Sequence, residues 1–140
     1  MLFDEILGQE HLKQMIQSSL SNNSFPQSKI IVDKDGYGGF LFALAISERL
    51  LLEKGLKNAD VLNHPDLNFV FPLFSSEDVA SELNKEWLSY IGDNKFPNIV
   101  GWMSASNSSG SQGSIRVKEI ESMYKHASLK SFYGKKKVFI

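Results

Sequence analysis

Eight residues, Asp33-Lys34-Asp35-Gly36-Tyr37-Gly38-Gly39-Phe40, join a short β-branched run to a long apolar one, at a place where a chain could hold a phosphate. That chemistry needs a glycine-rich turn, so that backbone N–H groups converge on an anion at the start of a helix. It also needs a lysine for the β- and γ-phosphates and a Ser or Thr hydroxyl for Mg²⁺. Gly38 supplies the second motif glycine. Asp33 stands in place of the first, Gly39 in place of the lysine and Phe40 in place of the hydroxyl. Phe40 cannot ligate magnesium, Asp33 and Asp35 repel phosphate, and Lys34 precedes the turn instead of opening the helix. Taken alone, the octet reads as a plain glycine-rich turn. The competing reading is a cradle that keeps its shape and has lost its charges. Restoring Gly39→Lys and Phe40→Thr together is expected to improve phosphate binding without producing turnover.

Other chemistry-bearing residues are sparse. His64 has only His11 and His126 as possible companions, and no metal-ligand spacing appears among them. A structural role where the following strand begins suits it better, and Asp66 reads as holding that turn with His64 and Pro65. No second carboxylate accompanies Asp66 to make an acid/base pair. Ser108 to Gly113 contains no nucleophile-elbow pattern. Lys135-Lys136-Lys137, with Lys125 and Lys130 upstream, could meet nucleic-acid phosphates. A solvated lead-in to a strand is the expected reading, because charge runs usually are that and no aromatic residues interleave as a single-strand stacking platform would require.

The elements that must position these residues follow from periodicity. Leu12, Ile16 and Leu20 keep helical spacing over about 9–21, stopped by Ser21-Asn22-Asn23-Ser24 and Pro26. Ile30-Ile31-Val32 lacks polar alternation and suits a strand buried on both faces. Phe40 to Leu52 is apolar around most of its circumference, which predicts a buried helix. Leu67 to Phe71 is a second strand, ended by Pro72. Ser75 and Asp78 have capping-box spacing before a helix with Val79, Leu83, Trp87, Leu88 and Ile91 on one side. Trp87 is expected in the core, whereas Trp102 could be core or a partner contact. Ser104 to Ser114, with six serines and two glycines, predicts a mobile surface loop. Ile120, Met123, Tyr124 and Ala127 mark a last helix, and Val138-Phe139-Ile140 a last strand. A buried strand rarely closes a chain, so residues 1–140 are expected to be the first part of a longer domain.

Composition narrows the classes. The 140 residues are 42% hydrophobic and 22% charged, as in an ordinary globular core. The net charge of −1 creates no global field for nucleic acid or membrane. It hides an asymmetry: residues 1–114 carry eight basic and fourteen acidic side chains, residues 115–140 seven and two. With no cysteine there is no disulfide, thiolate zinc site or thiol nucleophile. The acidic start Met1-Leu2-Phe3-Asp4-Glu5 is unlike a signal peptide, and no apolar run spans a bilayer, so a cytoplasmic protein without membrane contact is expected.

Several of these segments, in this order, resemble the N-terminal ATPase-like (AAA+) domain of the delta-prime subunit of the bacterial DNA polymerase III clamp loader. Phe3-x-x-Ile6-Leu7-Gly8-Gln9-Glu10 is similar to the segment that lies against the adenine in clamp-loader ATPases. Ile30-Ile31-Val32, Gly36-Tyr37-Gly38 and Ala43-Leu44-Ala45-Ile46 are similar to the P-loop unit. His64-Pro65-Asp66-Leu67 running into Phe69-Val70-Phe71-Pro72 is the most specific match. Ile115 to Leu129 and Lys136 to Ile140 resemble the helix and strand before the acidic Walker B signature. Glu53 to Asn63 stands where many loader subunits have a four-cysteine zinc module, and holds no cysteine.

The resemblance implies an α/β fold, a P-loop NTPase-like three-layer parallel sheet with flanking helices, cut short at its C-terminus. Its vestigial nucleotide site would comprise Leu7, Gly8, Gly36, Gly38 and Gly39. It implies a non-hydrolysing stator in sliding-clamp loading, with no cofactor and no catalysis by this chain alone, although within a DNA-directed DNA polymerase holoenzyme. Its partners would be the other loader subunits and, through the assembly, the sliding clamp and primed DNA. The Walker B acids, sensors and arginine finger would lie beyond Ile140. In that family a later strand separates the P-loop strand from the Walker B strand. Ile30–Val32 and Lys136–Ile140 would therefore close on each other, or a second copy would supply a strand and make a dimer. The rival readings are a weak ATP-binding P-loop enzyme and an unrelated α/β interaction module.

Overall fold

The computed structural model describes residues 2–34, 38–52, 60–75, 78–94, 96–108, 112–133 and 136–140. Its first element, α1 (Leu2–Glu5), is a single turn whose Leu2 N–H donates to Glu48 Oε2 at 2.8 Å. Gly8 and Gln9 then take left-handed conformations, with φ of 72° and 56°, and turn the chain into α2 (Glu10–Ser21). Lys13 Nζ closes that corner by donating to the Ile6 carbonyl at 2.9 Å.

The following helix, α3 (Gly39–Leu51), is the hub, and this explains why its sequence is apolar nearly all round. Leu41, Phe42, Ala45 and Ile46 pack with Phe3, Ile6 and Ile16 from α1, the corner and α2. Leu44 and Leu51 pack instead with Val61 and Leu67, joined by the half-buried Val138 and Ile140. Val61–Asn63 forms a short 3₁₀ turn whose Leu62 N–H donates to Asp60 Oδ1 at 3.0 Å.

Leu67–Asn68 (β1) and Val138–Phe139 (β2) pair in parallel, with Leu67 opposite Val138 and Asn68 opposite Phe139. The ladder runs past both strands: Val138 N–H donates to Asp66 O, Ile140 N–H to Asn68 O, and Val70 N–H to Ile140 O at 2.8 Å. Between these strands lie α4 (Ala80–Asp93), α5 (Ile99–Ala105) and α6 (Val117–Ser128). An aromatic cluster joins α4 and α5 to the chain leaving β1. Trp87 stacks on Phe71 at 4.8 Å, and Trp102 stands edge-on to both. Tyr90 Oη accepts from Asn98 N–H and donates to Asn98 O, which fixes the start of α5. Gly101 is required there, because a Cβ would come within 2.5 Å of that hydroxyl.

The three-layer parallel sheet is not the observed architecture. The described chain is mostly helical (54%), with a single two-strand parallel sheet. Ile30, Ile31 and Val32 account for the missing strand, since they are 91%, 43% and 90% exposed instead of buried on both faces. A β-branched run becomes sheet only where a neighbour takes up its N–H and C=O groups. Among the described residues, β2 is paired with β1 and not with this run.

Smaller expectations change as well. Ser75 N–H donates to Asp78 Oδ2, but α4 begins only at Ala80, after an N-cap residue that makes no side-chain bond, so the pair shapes the turn before the helix. The last helix forms over Val117–Ser128 as its periodicity predicts, yet it buries no residue, and Tyr124 is exposed. The serine-rich stretch opens inside α5, and its Ser114 exchanges backbone hydrogen bonds with Leu73; residues 109–111 lie outside the described residues.

Trp102 is the most buried large side chain, and its Nε1 donates to Pro72 O at 2.9 Å. Trp102→Ala should therefore lower the unfolding free energy by about 3–5 kcal/mol in a denaturant titration. A loss below about 1 kcal/mol would mean that the aromatic cluster is not a core.

Candidate functional site

The start of α3 is where a ligand anion would sit, and the chain's own carboxylate is there. Gly38 takes φ 114° and N-caps the helix, and Phe42 N–H donates to its carbonyl. Gly39 N–H donates to Asp33 Oδ2 at 2.7 Å. A helix N-terminus presents partial positive charge and unpaired N–H groups, and a carboxylate satisfies both. Gly39 makes that approach possible, because a Cβ on residue 39 would lie 2.7 Å from the Asp33 Cβ. The two departures from the phosphate motif are thus one arrangement, and Gly39→Lys requires Asp33 to move first.

Phe40 is also committed. Its ring stacks on Phe69 at 6.3 Å and meets Trp87 edge-on at 6.1 Å, so it fastens α3 to the chain beyond β1. The position that would carry a magnesium-binding hydroxyl is spent on the core, and Phe40→Thr would cost packing. Leu7 stands in solvent, and a Cβ on Gly8 would meet nothing within 4 Å. Of the five residues expected from the resemblance to form a nucleotide site, Gly38 and Gly39 lie together at the head of α3. Leu7 and Gly8 lie in the corner before α2, and Gly36 lies outside the described residues.

The His64-Pro65-Asp66 segment builds a clamp. Asp66 is only 2% exposed, and its Oδ1 and Oδ2 accept the N–H groups of Phe132 and Tyr133 at 2.7 and 3.2 Å. Its own N–H donates to His64 Nδ1 at 3.1 Å, which ties the imidazole to the turn. The His64 ring packs against Tyr133 at 5.3 Å. Asp66 is therefore a tether between two segments far apart in sequence.

A cleft of about 700 Å³ opens between β1, α4 and α6, lined by Phe69, Asn84, Asp78, Arg116 and His126 among others. Arg116 is engaged within the chain, donating to the Asp78 carbonyl and lying 3.7 Å from Glu119. Among the described residues no cluster of three or more His, Asp or Glu side chains could hold a metal ion. None of the described helices is long and apolar enough to cross a membrane. Comparison with protein-family models, curated proteins and solved structures finds no match.

Three substitutions test this geometry. Gly39→Ala should destabilise the protein, although the same change in an ordinary helix stabilises it. In an Asp33→Gly background, which removes the opposing Cβ, Gly39→Ala should become neutral or stabilising; calorimetric melting of the four proteins reads the change of sign. Asp66→Asn leaves one of two inward-facing N–H groups without an acceptor, and should cost about 1–3 kcal/mol in denaturant unfolding.

Proposed function

We propose that this chain is a delta-prime-like clamp-loader subunit of a bacterial DNA polymerase III, a non-hydrolysing stator in the loading of sliding clamps. The order of the adenine-segment, glycine-turn and His-Pro-Asp matches supports the family. The observation that carries the stator role is the Asp33 carboxylate on the Gly39 N–H at the head of α3. Phosphoryl transfer depends on cations and Mg²⁺ around the γ-phosphate. Gly39 and Phe40 stand where the motif lysine and hydroxyl would be, and Asp33 places an anion of the chain's own at the helix start, where the phosphate would go.

In this reading neighbouring ATP-binding subunits close on ATP, grip the clamp and primed DNA, and release them after hydrolysis. This chain offers them a fixed face, and works in the cytoplasm without a cofactor. The described packing suits that role: α3 is packed between α1, α2 and the sheet.

The test is reconstitution. Mixed with ATP-hydrolysing loader subunits, the protein should co-elute in a stoichiometric complex, and alone it should show no Mg²⁺-dependent ATP turnover. Absence of a complex would remove the loader assignment. Turnover that disappears on altering Gly38 would favour the weak-enzyme reading.

A further inference from the structure

Phe132 and Tyr133 occupy the turn between α6 and β2 with their side chains 74% and 62% exposed. The backbone N–H of each is held by one oxygen of the buried Asp66 carboxylate, at 2.7 and 3.2 Å. Tyr133 is braced from behind by the His64 ring, and the two exposed rings stand 5.2 Å apart at 76°. A carboxylate removed from solvent thus fixes a mount under two adjacent aromatic faces.

Along the chain on either side of the two rings, the charged side chains have one sign. From Ser122 to Ile140 the sequence holds five lysines and no carboxylate. Lys125 on α6, Lys130 before the rings and Lys136 after them are exposed. Lys137 is turned back, its Nζ donating to the His126 carbonyl at the end of α6. Fixed aromatic faces flanked by free cations suit a ligand that alternates flat apolar groups with anions. A single strand of nucleic acid has that chemistry, with bases to stack and phosphates to pair. A duplex does not, because its bases are already stacked.

We infer that Phe132 and Tyr133, mounted on Asp66 and flanked by Lys130 and Lys136, form a binding surface for single-stranded nucleic acid. This surface is independent of the loader assignment, and its assay needs no other subunit.

The test is fluorescence anisotropy of a labelled 12-nucleotide oligothymidylate with the full chain. Binding is expected at roughly 10⁻⁴–10⁻⁶ M in moderate salt, with a negative slope of log affinity against log salt. Phe132→Ala, whose side chain is largely in solvent, should weaken binding about tenfold and leave the circular dichroism and melting temperature unchanged. Lys130→Gln with Lys136→Gln should flatten the salt slope by about 1.4, two phosphate contacts on a single strand. A duplex of the same length should bind more weakly. The inference is overturned if the oligonucleotide does not bind. It is also overturned if Phe132→Ala binds as the parent does, or if a polyglutamate peptide binds equally well, which would mark a site for acidic proteins.

Discussion

A buried carboxylate holds the parallel sheet together. Asp66 accepts the N–H groups of Phe132 and Tyr133 through its side chain, and the N–H of Val138 through its carbonyl. One residue therefore sets where the returning chain arrives and the register in which β2 meets β1. Parallel strands cannot be joined by a tight turn, so their register has to be imposed from outside the ladder. Burying a carboxylate is costly unless its oxygens are paired, and here both accept backbone N–H groups. Leu67 and Val138, opposed in the ladder, then present the surface on which Leu44 and Leu51 of α3 rest.

At the other end of α3 the same kind of group does a different job. Asp33 meets the helix N-terminus from the exposed loop, and Gly39 gives it room. Phe40, one residue further, is drawn into the contacts between Phe69 and Trp87. A phosphate loop keeps its helix start open and polar for a ligand. This one closes it with a side chain from within and seals the next position with a ring. The positions that a phosphate motif gives to a lysine and a hydroxyl are filled here by close packing.

The two aromatic populations follow from the same economy of space. Phe71, Trp87, Tyr90 and Trp102 fill the volume between α4, α5 and the chain beyond β1, where only large rings reach across. Phe132 and Tyr133 lie outside it because Asp66 fastens their backbone at the entrance to β2 and leaves their side chains no core to enter. The reading of the lysine run as a solvated lead-in without interleaved aromatics is corrected: Phe132 and Tyr133 stand between Lys130 and Lys136 in the sequence itself, and the fold leaves both exposed.

Periodicity was sufficient for the local elements. The helices of residues 9–21 and 40–52, the core role of Trp87 and the turn made by His64, Pro65 and Asp66 are all legible in residue types and spacing, because each depends on neighbours within a few positions. The absent lysine and hydroxyl at Gly39 and Phe40 are legible for the same reason. Whether Ile30-Ile31-Val32 joins a sheet is not, since a strand exists only through a partner, and β-branching cannot say whether one arrives. The sequence likewise shows Asp33 as an anion near a glycine turn, but not that its carboxylate reaches the Gly39 N–H. That contact depends on a path between them that only the folded chain sets. Burial of α3 on both sides, exposure of α6 and the outward mount of Phe132 and Tyr133 were decided by tertiary structure, because each is a relation between segments that the sequence keeps far apart.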